Sequence, residues 1–169
     1  MEIGKYCNRC GIWLGPDNPQ NQALRVPGDN QSNQAGEIAA VILAVNKIQA
    51  SWPLKIITDS KYTINGLTKH LKELEDHRWI GIKNKRLFKK AAHILKRRTA
   101  PTTFQWTKGH NGDKGNEGSD RLAKEGANKE NPDELDLEIP KEFDLQGAKL
   151  AALTQAKAYE GIRKRRPPH

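Results

Sequence analysis

A chain of 169 residues has room for one ordinary domain and a tail. Its apolar fraction of 36% allows a modest core, and 29 lysines and arginines against 20 acids leave a net charge of +9. That balance points to a polyanion as partner, nucleic acid ahead of an anionic membrane. No stretch approaches a membrane span and no secretory apolar region follows Met1, so an intracellular protein, nuclear or cytoplasmic, is expected, as a monomer.

The first ten residues are polar and irregular. Gly11–Gly15 reads as a short strand between glycines, Pro16-Asp17-Asn18-Pro19 as a turn, and Gln22–Val26 as the returning strand of a hairpin. Ser32 or Asn33 caps a helix in which Ile38, Val41, Ile42, Val45 and Ile48 recur at helical spacing, with Pro53 closing the region. Leu54–Asp59 is a compact apolar strand suited to a buried sheet position. Ser60 caps a helix whose inward face carries Ile64, Leu67, Leu71 and Leu74. Asn84–Arg98 is helical with Leu87, Phe88, Ala91 and Leu95 inward, and Thr102–Thr107 alternates, with Phe104 and Trp106 on one face. A glycine-rich loop follows, then a helix from about Asn116 to Lys129. This is a mixed α/β layout. It divides into a domain over 1–130, an acidic, proline-containing linker over 131–141, and a terminal stretch over 142–169 with a helix at Leu145–Ile162 and a basic, disordered end at Arg163–Pro168.

Two cysteines, Cys7 and Cys10, form a lone C-x-x-C. A zinc site needs two more ligands nearby, and no histidine is close in sequence, so these read as incidental thiols.

The chemistry gathers at element ends. Glu37 opens a helix, Asp59 closes a strand, Asp120 sits near the start of the last helix, and His110 lies on the glycine-rich loop Lys108–Asn116. Taken singly, Asp59-Ser60 reads as a helix cap, Glu37 and Asp120 as acids favoured by a helix dipole, and His110 as a loop histidine. Taken together they suggest carboxylates converging on one crevice of an α/β sheet, able to hold hard divalent cations beside a proton-carrying imidazole. The segment 83–98 adds Lys83, Lys85, Arg86, Lys89, Lys90, Lys96, Arg97 and Arg98 without an acid. It reads either as a solvated face or as a face that tracks phosphates.

From Gly11 to Lys129 the chain resembles the type 1 ribonuclease H family. The resemblance rests on Ser32-Asn33-Gln34-Ala35-Gly36-Glu37, on Thr58-Asp59-Ser60-Lys61-Tyr62, on Thr63-Ile64-Asn65-Gly66 with Trp79, and on Lys108-Gly109-His110 through Asn116-Glu117 to Asp120-Arg121-Leu122-Ala123. It implies a mixed sheet flanked by helices and Mg²⁺-dependent hydrolysis of the RNA strand of RNA·DNA hybrids, Mn²⁺ being a possible substitute. It implies Glu37, Asp59 and Asp120 as metal ligands and His110 as the mobile proton carrier. Asn33 and Gln34 would touch the hybrid's minor groove, where 2′-hydroxyls mark RNA. Ser32 and Asn84 would grip a DNA phosphate, and Lys85 and Lys89 would extend the contact. The family opens with a central strand ending in Asp-Gly, whose Asp bridges the metals. The present chain reads as starting beyond that strand, with Met1–Cys10 a poor replacement because Gly4 interrupts it, and Glu2 the only carboxylate before Asp17. The expectation is a ribonuclease H-like fold without its first strand, marginally stable and weak in catalysis. The alternative is a catalytically impaired hybrid- or RNA-binding module, or a fragment of a retroelement polyprotein.

Overall fold

The computed structural model describes residues 2–6, 9–27, 32–108, 114–144 and 155. Five strands form one sheet in the order β3-β2-β1-β4-β5. They are β1 (Glu2–Tyr6), β2 (Arg9–Trp13), β3 (Gln22–Arg25), β4 (Leu54–Thr58) and β5 (Thr102–Trp106). β1, β2 and β3 form an antiparallel meander, whereas β4 runs parallel to both β1 and β5. The helices are α1 (Asn33–Lys47), α2 (Lys61–Leu67), α3 (Leu71–Asp76), α4 (Lys85–Lys96) and α5 (Lys114–Ala127).

The interior position, expected to be empty, is held by β1. Its five residues pair with β2 from Glu2↔Trp13 to Tyr6↔Arg9, and Glu2 stands opposite Ile57 of β4. The cause is non-local. Strands on either side present backbone N–H and C=O groups that lose free energy if buried unpaired, so even a segment of poor intrinsic strand propensity is drawn into the ladder. Gly4, read as a breaker, is the partner of Gly11. Glycine suits this region because α5 comes so close that a Cβ on Gly11 would lie 2.3 Å from the Ser119 carbonyl oxygen.

Helices cover both faces of the sheet. Gly11 and Trp13 face α5, where the Trp13 ring fills the space beside Gly118. Side chains alternate along a strand, so Ile12 and Leu24 point the other way, and Leu24 joins the core that α1 builds with β4 and α4. From Ala35 to Ile42 every residue of α1 is buried, because α1 is enclosed by the sheet on one side and α4 on the other. Ser32 caps α1 by accepting from the Ala35 N–H, and Ser60 caps α2 by accepting from the Thr63 N–H, each at 3.2 Å.

Two expectations for this region change. The helix read from Ser60 through Leu74 is two helices: the Thr68 hydroxyl donates to the Ile64 carbonyl at 2.6 Å, and the chain leaves helical geometry at Thr68. The last helix starts at Lys114 rather than Asn116. The acidic segment read as a linker has no regular secondary structure over 131–140, yet Leu135 and Leu137 pack against the core and the Asp133 N–H donates to the Arg25 carbonyl. Almost all of the terminal helix and basic end lies outside the described residues. No helix among the described residues is long and apolar enough to cross a membrane.

Candidate active site

β4 ends at Thr58, and Thr58 organises what surrounds it. Its side chain is buried, and its hydroxyl donates to Glu37 Oε2 at 3.1 Å while accepting the Ser60 N–H at 3.1 Å. Glu37 is only 3% exposed, in the first turns of α1, where the Ser32 cap fixes the entry of the helix. Asp59 follows Thr58 directly, so two carboxylates flank one threonine. Glu37 Oε1 and Asp59 Oδ1 are both fully buried oxygens. The backbone carbonyl of Asp59 accepts from Trp106 Nε1 at 3.1 Å, and the Thr107 N–H donates to the Thr58 carbonyl at 3.0 Å. The end of β5 therefore clamps the end of β4. Trp106 remains 44% exposed, with Lys61 Nζ 4.5 Å from its ring centroid.

Asp120 arrives from the other face of the sheet. It lies half-buried on α5, next to Ser119, whose backbone packs on Gly11 of β2. Among the described residues no three His, Cys, Asp or Glu side chains come together to hold a metal ion. The Thr58 hydroxyl thus links Glu37 to the end of the strand that Asp59 directly follows, while Asp120 is carried by α5. His110 lies outside the described residues, as does Cys7. The donor set at β4 still suits a hard cation: two carboxylates supply oxygen ligands, and Mg²⁺ commonly takes one or two of these and completes its shell with water and phosphate oxygens.

The expected substrate contacts divide in two. Asn33 and Gln34 are exposed on the first turn of α1, one turn from Glu37. Ser32 spends its hydroxyl on the α1 cap. Asn84 is buried in a left-handed conformation (φ 61°) that turns the chain into α4, and the Tyr62 hydroxyl donates to the neighbouring Lys83 carbonyl at 3.2 Å. Burial raises the Tyr62 phenol above its usual range, and the nearby Asn84 side chain partly opposes the shift. On α4, Lys85 is exposed, whereas Lys89 pairs with Asp144. Sequence reasoning quoted Thr58 without giving it a role and passed over Lys61 and Trp106 as site residues. The available signal was position: Thr58 is the last residue of a strand whose next residue is the acid, and Trp106 closes the neighbouring strand in register with it.

Comparison with known proteins rests on this geometry. The RNase H family profile matches residues 5–128. The chain belongs to the RNase H family. Over 122 residues the RNase H region is 38% identical to Ribonuclease H1 of Homo sapiens, covering 69% of this chain and 42% of that protein. Ribonuclease H of Schizosaccharomyces pombe is 32% identical over 123 residues, covering 70% of this chain and 45% of that protein. The chain therefore spans less than half the length of either relative. Among solved structures, the prototype foamy virus protease–reverse transcriptase is 30% identical with a TM-score of 0.55, over 73% of this chain and 18% of that one. LC9-RNase H1, a type 1 RNase H with the type 2 active-site motif, aligns over 94% of this chain and 84% of its own with a TM-score of 0.55. At 16% identity it supports the RNase H fold alone.

Proposed function

We propose that this RNase H domain hydrolyses the RNA strand of RNA·DNA hybrids, using a divalent cation held at Glu37 and Asp59. The observation that carries the reading is the Glu37–Thr58–Asp59 arrangement at the end of β4. Family membership supports it, as does the excess of basic residues that suits a polyanionic substrate. Asp120 joins the ligand set, and His110 the proton transfer, on the strength of the motif they share with the family.

Mg²⁺, or Mn²⁺ in its place, would activate water and neutralise charge building on the phosphate. The chain's own residues supply orientation. Thr58 fixes the rotamer of Glu37, and the Trp106 indole fixes the backbone that carries Asp59, so neither carboxylate pays for ordering when substrate arrives. Asn33 and Gln34, exposed beside Glu37, offer the donors and acceptors that read 2′-hydroxyls.

The test uses hybrid labelled on either strand, with and without Mg²⁺. Cleavage confined to the RNA strand, lost on chelation and reduced at least about a hundredfold by Asp59→Asn or Glu37→Gln, is expected. Equal cutting by both variants and the parent sinks the reading.

A second reading is favoured by one observation: no three acidic side chains converge among the described residues. Under it the domain binds hybrid without cutting. Hybrid preference over duplex DNA at fixed salt, with no cleavage in Mg²⁺ or Mn²⁺, would establish that reading in place of the first.

A further inference from the structure

Three acids of residues 131–144, Asp136, Glu138 and Asp144, lie against cations of α4. This stretch follows the RNase H match, which ends at residue 128. Its pattern is strictly alternating: Leu135, Leu137 and Ile139 are half-buried, while Glu134, Asp136 and Glu138 are exposed. That is the habit of an extended strap with one face on the protein. The apolar face is anchored, since Leu135 and Leu137 touch the core.

The acidic face meets α4. Lys90 is only 7% exposed, and its Nζ donates to Asp136 Oδ2 at 3.1 Å and to the Glu138 carbonyl at 2.7 Å. Lys89 pairs with Asp144, and Arg86 lies 3.9 Å from the Glu138 carboxylate. Further along, Arg97 stands over the exposed Phe143 ring, which also lies against His93. The Asp136 carboxyl is held below its usual range, first by the Glu138 backbone N–H and then by Lys90.

We infer that the strap is a built-in competitor for the basic face of α4, its acids occupying cations that would otherwise take nucleic-acid phosphates. The contact divides into two parts. Lys90 is buried and bonded, so its end of the strap is structural. Arg86 and Lys89 are held by single carboxylates near the surface, so this part can yield to a phosphate. A nucleic-acid strand carries one charge per about 3.4 Å of axis. The strap offers an acid only at every second residue, about 6.6 Å apart in an extended chain, and compensates by being tethered, with an effective concentration in the millimolar range. The face is thus closed to weak or short polyanions and open to a long duplex. The inference rests on the reading of the chain as a nucleic-acid binder.

The test frees Arg86 and Lys89 and leaves Lys90 bonded. The full chain carrying Glu138→Gln and Asp144→Asn is titrated with RNA·DNA hybrid and with duplex DNA across a salt series. The control is Glu130→Gln with Glu134→Gln, which makes the same change in net charge at exposed side chains away from these pairs. The strap variant is expected to bind about tenfold more tightly at low salt. Its plot of log K against log salt should steepen by about two units, nearly one per released cation. The control should keep the parent slope. Identical slopes in strap variant and control overturn the strap inference while leaving nucleic-acid binding intact. Absence of binding in all three proteins overturns both. Thermal unfolding of each variant shows that the comparison is between folded proteins.

Discussion

Thr58 is the residue on which the candidate site turns. Its hydroxyl is donor to Glu37 and acceptor to Ser60 at once, and it is buried. Valine keeps the shape but removes both bonds and leaves a carboxylate oxygen and an amide without that partner. Thr58→Val is therefore expected to destabilise by about 1–3 kcal/mol. Thermal unfolding should show the loss, and Mn²⁺ titration should show weaker binding than in the parent at a temperature where both are folded. An unchanged melting point would mean that the hydroxyl is not holding the two segments. The carboxylates themselves were legible, since Glu37 and Asp59 sit in short motifs at recognisable element ends. The part played by Thr58 was not: a threonine in an apolar strand reads first as a β-branched residue suited to a sheet. Only the approach of α1, distant in sequence, turns its hydroxyl into a clamp.

Helices and strands were legible where local signals agree with tertiary packing. α1, α4, β4 and β5 follow from periodicity and caps, within a residue or two. α2 and α3 read as one helix because the apolar stripe runs from Ile64 to Leu74 across Thr68, and nothing in that stripe announces the hydroxyl-to-carbonyl bond that ends α2. The strap carried its signal in plain sight, with Leu135, Leu137 and Ile139 alternating with acids, but prolines and acids together read as a linker. β1 was not legible at all, because what holds it is the demand of its neighbours for pairing. The packing of α5 on β2 gives an element-scale prediction. A Cβ at Gly11 would lie 2.3 Å from Ser119 O, 2.6 Å from Leu122 Cβ and 2.8 Å from Ala123 N. Two of these are backbone atoms and cannot swing aside, so Gly11→Ala must push α5 off the sheet. A loss of about 1–3 kcal/mol or more is expected by denaturant titration. Wild-type stability in this variant would show that α5 yields freely.

Across the molecule, the sheet is unevenly joined. β1 pairs with β2 along five register positions and β4 pairs with β5 along five, but among the described residues β1 and β4 share only Glu2↔Ile57. α5 packs on β1, β2 and β3. The sheet therefore consists of two blocks, and the candidate acids are distributed between them: Asp59 on the β4–β5 block, Asp120 on the α5-covered block, and Glu37 on α1, which touches both. Opening along that seam would change the separation of Asp59 and Asp120, which would make the gap between these acids a breathing coordinate of the sheet. A cation bound by both blocks would act as a staple across a crack. In native-state hydrogen exchange, β1 amides that face β4 should exchange ahead of β5 amides that face β4, and Mg²⁺ should slow the former selectively. Equal protection on the two sides of β4, indifferent to Mg²⁺, would mean that the sheet moves as a single plate and that the acids keep the spacing they have at rest.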